Sequence, residues 1–243
     1  MGLYRDSGVV LRSHLLGEAD KILTVLTHGN GLVRAVAKGV RRTRSKFGAR
    51  LEPMSHVDLQ LHTGRSLDVV TQVETLHAFG QHVASDYARY TAGTAVLETA
   101  LRLLPVEREP SPQLYQLLVG ALHALTVTRR DPVLVLDAFA LRALATAGYA
   151  PGFDACTRCG AEGPHTAVAV DAGGAVCPLC RPPGSAQVPP ESMLLLGALL
   201  SGDWDGAEAT ETWARRRASG VVTALLQWHL ETGVRSLRLV ERA

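Results

Sequence analysis

The sequence lacks the long apolar stretches of membrane proteins. Uncharged apolar runs such as residues 193–200 are far shorter than the roughly 18 to 20 residues that a membrane-spanning helix needs. The opening residues, MGLYRD, include two charged side chains and no apolar signal core. We therefore expect a cytoplasmic protein that has no membrane partner.

Motifs of catalysis are also missing. The chain has no G-x-x-x-x-G-K-[ST] phosphate loop, no H-E-x-x-H motif and no G-x-S-x-G nucleophile elbow. Residues 29–31, Gly-Asn-Gly, are followed by Arg34 where a dinucleotide-binding fingerprint requires a third glycine. The nine histidines are scattered, and His229 and Glu231 are too close in sequence to share a helix face. The sequence therefore predicts a protein that is not an enzyme.

Aromatic residues are few, at 5% of the chain, and residues 1–80 contain only Tyr4, Phe47 and Phe79. A protein that binds single strands by stacking many bases on aromatic rings is therefore disfavoured. If this region binds nucleic acid, charge must supply most of the attraction.

Cysteine is scarce, and its four copies lie in two close pairs. C-T-R-C-G begins at Cys156 and C-P-L-C begins at Cys177, with 17 residues between the pairs. This spacing is typical of zinc sites. Gly160 favours the tight turn of a zinc knuckle, and residues 166–176 predict a β-hairpin that turns near Gly173 and brings the pairs together.

The predicted metal is one structural zinc ion per chain, because four thiolates leave no open coordination position for a substrate. Its ligands are Cys156, Cys159, Cys177 and Cys180. A pair of redox dithiols is the alternative, and a zinc enzyme would need an open metal position. His165 could replace a cysteine but is expected at the surface.

The formal net charge of +2 conceals two regions of opposite sign. Residues 1–80 hold 11 basic and 7 acidic residues, whereas the remainder holds 14 and 16. Seven basic residues and no acidic residue fall within residues 34–50. The next acidic residue along the chain is Glu52. They are Arg34, Lys38, Arg41, Arg42, Arg44, Lys46 and Arg50. Such a cluster predicts a DNA-binding surface that neutralises phosphates, although a solvated loop is the simpler interpretation.

Two aromatic residues next to basic clusters have open roles. Phe47 could stack on a base or plug the end of a barrel with equal ease. Trp213, which precedes Arg215, Arg216 and Arg217, is expected to face inward on an amphipathic helix with the arginines in solvent.

Alternation of apolar and polar residues dominates the first 76 residues and predicts five short strands. They span residues 8–11, 22–27, 32–37, 57–61 and 67–73. Five short strands with one longer connection suit a small closed barrel, for which an OB-fold is the first choice and an SH3-like barrel the alternative.

After residue 80 the periodicity becomes helical. A long helix is predicted from about residue 81, with an apolar face over residues 84–104, until Pro105 stops it. The other predicted helices span residues 113–128, 132–147, 191–200, 207–217 and 220–231. The predicted fold is α+β, with an N-terminal OB-fold barrel in residues 1–80. Residues 81–243 are predicted as a mostly helical domain with an embedded four-cysteine zinc-knuckle hairpin at about 149–188.

Several segments, in this order, resemble the RecO family of bacterial DNA repair proteins. They are G-V-V-L-R from residue 8, G-E-A-D-K-I-L-T-V-L-T from 17, G-L-V-R-A-V-A-K-G-V-R-R from 31, F-G-A-R-L-E-P from 47, L-A-T-A-G-Y-A-P before the first cysteine pair, and H-L-E-T-G-V-R-S-L-R near the end. The likeness spans nearly the whole chain, and the ordered combination is more specific than any single motif.

The resemblance implies a non-catalytic recombination mediator of the RecF pathway that is associated with the nucleoid during repair. It implies binding to single- and double-stranded DNA, annealing of complementary strands, and cooperation with RecR in loading RecA onto strands coated by single-stranded-DNA-binding protein. The seven basic residues match the family's basic barrel region and are expected to contact DNA as a group. The alternative is a zinc-containing protein-binding scaffold without direct DNA contact.

Overall fold

The computed structural model describes residues 2–104, 106–127, 129–230 and 233–242. It divides into two compact units, Met1–Thr128, called here the barrel unit, and Arg129–Ala243, called the knuckle unit. The helix ends expected at Pro105, Thr128 and Glu231 lie outside the described residues. The predicted domain boundary after residue 80 stays a prediction.

Five strands form a closed barrel at the start of the barrel unit. They are β1 Leu3–Leu16, β2 Asp20–Thr27, β3 Gly31–Ala37, β4 Ser55–His62 and β5 Asp68–Ala78. The order around the barrel is β1-β2-β3-β5-β4, and β3 pairs with β5 in parallel. A parallel pair requires a crossover between the strands, so this is the five-stranded Greek-key arrangement of an OB-fold. The fold prediction is confirmed.

The strands close because β1 is long enough to pair on both sides. Its first half pairs with β4 and its second half with β2, and the register shifts between Val10 and Arg12. Such a bulge bends a strand and increases its twist. The sequence pattern predicted only residues 8–11, the middle of this strand. The bulge interrupts the alternation after that point.

The inward side chains fill the barrel with apolar groups. Val10, Leu23, Val25 and Leu59 are fully or almost fully buried there. Phe47 joins the same core with 2% of its surface exposed. Of its two possible roles, the structure therefore selects the plug, and Phe47 is not available to stack on a base.

In the described part of the barrel unit, three α-helices follow the barrel: α1 Phe79–Val83, α2 Tyr87–Arg102 and α3 Pro112–Val127. The expectation of one long helix from about residue 81 was wrong, because two helices form there. The Asp86 side chain accepts a hydrogen bond from the Arg89 backbone N–H at 3.0 Å. This N-cap satisfies a donor of the first turn, so α2 begins after Asp86 and α1 is separate.

The described residues of the knuckle unit form four α-helices and a small three-stranded sheet. The helices are α4 Pro132–Thr146, α5 Pro190–Ser201, α6 Trp204–Glu208 and α7 Thr212–His229, and the strands are β6 Ala167–Ala169, β7 Gly174–Ala175 and β8 Ala186–Gln187. As predicted, Asp131 caps α4, and Gly148 follows its end with φ of +89°. The β6–β7 hairpin turns at Gly173, also as predicted. No helix in the described ranges is both long and apolar enough to cross a membrane.

The break expected between residues 217 and 220 was wrong, because α7 continues through Gly220. Ala218, Val222 and Leu225 are buried on one side of this helix, and their packing outweighs the low helix propensity of one glycine. Trp213 was expected to face inward, but 49% of its surface is exposed.

Candidate nucleic-acid surface and metal centre

The seven predicted basic residues lie on β3 and on the crossover segment, defined as residues 38–54 between β3 and β4. All seven are exposed to solvent. The crossover segment contains a single 3-10 turn, Gly48–Leu51, and Leu51 and Phe47 anchor it in the barrel core. The apolar anchors therefore fix the segment while its charged side chains project outward.

Two of the basic residues attach the crossover segment to its neighbours. Arg41 Nη1 donates to the carbonyl oxygen of Glu18 at 2.9 Å, in the turn between β1 and β2. Lys46 Nζ donates to the carbonyl oxygen of Thr71 at 2.8 Å on β5. These bonds use backbone acceptors, so the positive charges are not neutralised by a carboxylate.

Three others have no side-chain partner among the residues that the structure describes. Within the described ranges, Lys38, Arg42 and Arg44 make no hydrogen bond or ion pair through their side chains. Exposed cations that have no carboxylate beside them can exchange loosely bound counterions for phosphates of a nucleic acid. These three side chains are therefore the most available phosphate contacts of the group.

A further cation, Arg12, was missed by the sequence analysis. Arg12 on β1 is registered with Thr24 on β2, and Thr24 is registered with Arg34 on β3. Residues directly opposite each other share a face of the sheet, so the two arginines flank Thr24 on the outer face. This is the strand face with which OB-folds bind oligonucleotides. Only the strand register could have revealed it.

Arg34 differs from the other basic residues because an acidic segment lies beside it. Residues 106–109 run alongside the start of β3, where the Arg108 backbone N–H donates to the Leu32 carbonyl oxygen at 3.0 Å. Glu107 Oε1 lies 3.8 Å from Arg34 Nη1. The positive charge of Arg34 is thus partly compensated within the chain.

The acidic segment is fixed by a buried carboxylate. Arg108 Nη2 lies 2.7 Å from Asp68 Oδ1, and the Asp68 side chain is fully buried. Burial alone would raise the pKa of Asp68, but hydrogen bonds from Tyr4, Arg108 and the Gly64 backbone hold it below its usual range. The ion pair therefore persists at neutral pH and holds the segment against the barrel.

The four cysteines of the knuckle unit converge on one point. Their sulfur atoms all lie within 4.8 Å of one another, and Cys159 Sγ is 3.8 Å from Cys177 Sγ. Sulfurs that coordinate one tetrahedral ion through bonds of about 2.3 Å are about 3.8 Å apart. The cluster thus has the donor set and spacing to hold a metal ion.

The local backbone shapes this cluster as a knuckle. Gly160 has φ of +75°, and its N–H donates to the Cys156 carbonyl oxygen at 2.8 Å. Hydrogen bonds from backbone groups lower the pKa of Cys156 to about 6. The backbone of Cys177 has the largest effect, and the backbones of Cys159 and Arg158 have smaller ones. The thiols of Cys159 and Cys177 raise the pKa of Cys180 to about 12. A bound cation would offset the repulsion between the four thiolates and would so favour ionisation of all four cysteines.

His165 is not among the clustered donors. It is buried, contrary to the expected surface position, and its Nε2 donates to the Ala161 carbonyl oxygen at 2.9 Å. This hydrogen bond closes the loop between the cysteine pairs, so the histidine has a structural role.

The barrel and the cysteine cluster together define a class: an OB-fold protein with a cationic crossover and a separate four-cysteine knuckle in a helical unit. Comparison with known families specifies it further. The family model "Recombination protein O N terminal" matches residues 1–79, and "Recombination protein O C terminal" matches residues 84–238. The chain therefore belongs to the recombination protein O family, RecO, as the sequence resemblance predicted.

A relative from Thermobifida fusca (strain YX), named DNA repair protein RecO, is 60% identical over 243 residues. The alignment covers 100% of this chain and 100% of the relative. Both family models and this similarity support a role in DNA repair and recombination.

Proposed function

We propose that this protein is a non-catalytic recombination mediator. It binds single- and double-stranded DNA through the barrel unit and anneals complementary strands. Together with RecR, it helps load RecA onto strands coated by single-stranded-DNA-binding protein. The observation that carries the proposal is the position of the basic cluster, which the apolar anchors of the crossover segment hold outward on an OB-fold barrel.

The proposed DNA surface consists of the exposed basic residues on β3 and the crossover segment. They are Arg34, Lys38, Arg41, Arg42, Arg44, Lys46 and Arg50, to which the strand register adds Arg12. Their contacts are with phosphate, because Phe47 is buried and the cationic groups carry no base-specific geometry. Binding should therefore tolerate different sequences, as annealing of arbitrary complementary strands requires.

The proposed metal is one zinc ion per chain, held by Cys156, Cys159, Cys177 and Cys180. Four thiolate donors at tetrahedral spacing favour zinc and leave no position for a reactant. The ion would hold the β6–β7 hairpin and the adjoining loops together. It would have no part in a chemical step.

An annealing assay tests the proposal against the alternative of a protein-binding scaffold. We expect the full chain to bind labelled single strands and to speed pairing of complementary strands. Replacing Lys38, Arg42 and Arg44 with alanine should weaken binding roughly tenfold or more, because three phosphate contacts are lost. Replacing Arg216 and Arg217, exposed arginines of the knuckle unit, is the matched control.

Absence of DNA binding by the wild-type chain at moderate salt would favour the scaffold. Equal losses in the triple variant and in the control would show that net charge, and not the crossover segment, determines the affinity. A separate capture experiment with purified RecR tests the proposed partner.

A further inference from the structure

A groove in the knuckle unit lies outside both sites described above. Its volume is about 1180 Å³. One face of α5 forms its base, with Glu191, Leu194 and Ser201 along it. The walls come from the knuckle loop, at residues 153–154 and 162–165, and from residues 203, 206 and 209–211 around α6.

The base of the groove is apolar. Phe153, Met193 and Leu195 line it and are buried, whereas Leu194 is 76% exposed. An isolated exposed leucine is ordinary on a protein surface, but this one sits in a concavity with an apolar lining. Such a surface is typical of a site that receives an apolar side chain from a partner.

The rim of the groove is acidic. Asp154, Glu162, Glu191, Asp203 and Glu211 line it and are all exposed, and the described lining contains no lysine or arginine. Asp203 caps α6 by accepting from the Gly206 N–H at 3.0 Å. The other four carboxylates have no side-chain hydrogen bond or ion pair within the described ranges.

Charge determines which partner fits. Like charges around a concave apolar surface focus a negative potential that attracts cations and repels polyanions. DNA is therefore excluded from this groove, in contrast to the crossover segment. A protein segment with apolar anchors and flanking lysines or arginines would bury the apolar base and pair with the free carboxylates.

The shape favours a helix as the occupant. α5 has 12 residues and is therefore about 18 Å long, or about three turns. Gly197 and Ala198 lie midway along its groove-lining face. Among the described residues, a Cβ on Gly197 would meet only Asp154 Oδ1, at 3.8 Å. The backbone of a partner can therefore approach closely at this point.

We propose that this groove is a docking site for an amphipathic helical segment of a partner protein, with apolar residues on one face and basic residues on its flanks. Recognition follows the helix-in-groove mode, in which apolar anchors spaced one helical turn apart enter the groove. The site is independent of DNA contact by the barrel unit.

The test uses the full chain and a labelled synthetic peptide of about 14 residues, with leucines at helical spacing and lysines elsewhere. We expect saturable binding in fluorescence anisotropy, and we expect the same peptide with glutamates in place of lysines not to bind. Gly197→Leu should fill the groove and weaken binding about tenfold or more. This variant should fold well, because leucine has the higher helix propensity.

Two further variants separate the apolar and the charged contributions. Leu194→Ser removes the exposed anchor, and the pair Glu191→Lys with Glu211→Lys reverses part of the rim; both should weaken binding of the lysine peptide. Leu239→Ser and Glu241→Lys change an exposed leucine and an exposed acid of the same unit outside the groove, so they should leave binding unchanged.

Several results would overturn the docking site. They are binding of the glutamate peptide with similar affinity, full binding by Gly197→Leu, or equal losses in the control variants. If the chain proves to be a dimer that Leu194→Ser dissociates, the groove is an interface between copies and the proposal is wrong. DNA binding should be the same in all groove variants, so failure here is distinguishable from failure of the proposed function.

Discussion

The barrel and the cysteine knuckle are stabilised in different ways. The barrel core comprises 13 buried apolar residues, including Phe47 and several leucines, inside a closed sheet. The buried cluster of the knuckle comprises only five residues, two of them Cys156 and Cys177. The barrel can therefore present unpaired charges at its surface without needing them to fold. In the knuckle, two of the proposed metal-binding side chains are themselves part of the buried core.

Removal of the proposed zinc ion should have the largest effect on the difference in stabilisation between the barrel and the knuckle. Cys177→Ser, or chelation, should abolish binding of about one zinc ion per chain and unfold the hairpin, because binding free energies of about 10 kcal/mol or more are coupled to folding in such sites. Hydrogen exchange should show lost protection at residues 153–180 and unchanged protection in the barrel.

A matched control is Leu179→Ser, which alters a residue 97% exposed between two ligands. It should keep the metal and the protection pattern. Loss of protection in the barrel after chelation would show that the two regions do not fold as separately as their cores suggest.

The second prediction concerns a buried acid in the knuckle unit. Burial raises the pKa of Asp137 to about 7, an effect that Ser219 and Arg242 only partly offset. In the described part of the chain, its Oδ1 has no hydrogen-bond partner. Because the pKa of Asp137 is raised in the folded state, the protonated carboxyl group contributes fully to folding stability at acidic pH. This contribution is lost as the pH rises towards 7. The loss is up to about 4 kcal/mol.

Asp137→Asn should therefore stabilise α4 at pH 7, measured as slower hydrogen exchange of that helix, and should flatten its pH dependence. The exposed Asp205→Asn serves as the control. If α4 in the wild-type chain exchanged equally slowly at pH 4.5 and pH 7 after correction for intrinsic rates, this account of Asp137 would be wrong.

The barrel unit should respond to pH in the opposite direction. Burial, and then the neighbouring His77, lower the pKa of His56 to about 4. His56 Nε2 lies 2.8 Å from the Tyr115 hydroxyl oxygen, and the two histidine Nδ1 atoms are 3.2 Å apart. Because the pKa of His56 is lowered in the folded state, the neutral imidazole contributes fully to folding stability above pH 6.5. This contribution falls by about 3 kcal/mol as the pH drops to 4.

Exchange protection of the barrel strands at pH 7 and pH 4.5 measures this loss. His56→Gln should reduce the pH dependence, whereas the exposed His14→Gln should leave it as in the wild type. The same dependence in both variants would assign the acid sensitivity to other groups.

The smallest expected effect concerns the acidic segment beside β3. Glu107→Gln should free Arg34 and tighten DNA binding about twofold to threefold, because an exposed pair contributes at most about 1 kcal/mol. Glu208→Gln alters a similar exposed pair, with Arg130 at 3.0 Å, in the knuckle unit and should not change DNA affinity. Weaker binding by Glu107→Gln would remove Arg34 from the proposed surface.

How much could be predicted from sequence differs between the same two regions. The cysteine cluster follows from local spacing alone, so all four donors and the hairpin turn at Gly173 were predicted. The barrel's strands and fold were also predicted from alternation. Residues 3–7 and 12–16 of β1 were missed. The later residues were missed because a bulge breaks the pattern, and Arg12 was missed with them.

Features that depend on packing between distant segments were not predictable. The continuity of α7 through Gly220 and the exposure of Trp213 follow from which face of the helix is buried. The groove along α5 follows from the placement of the knuckle loop and α6 beside it. The sequence of α5, of the knuckle loop or of α6 does not by itself indicate that the other two segments pack beside it.

A salt titration of DNA affinity tests whether the exposed cations of the crossover segment bind DNA phosphates, as we propose. The logarithm of the binding constant should fall linearly with the logarithm of salt concentration. Replacing Lys38, Arg42 and Arg44 with alanine should reduce the magnitude of that slope by about 2 to 3, while replacing Arg216 and Arg217 should not change it. An unchanged slope in the triple variant would contradict the account.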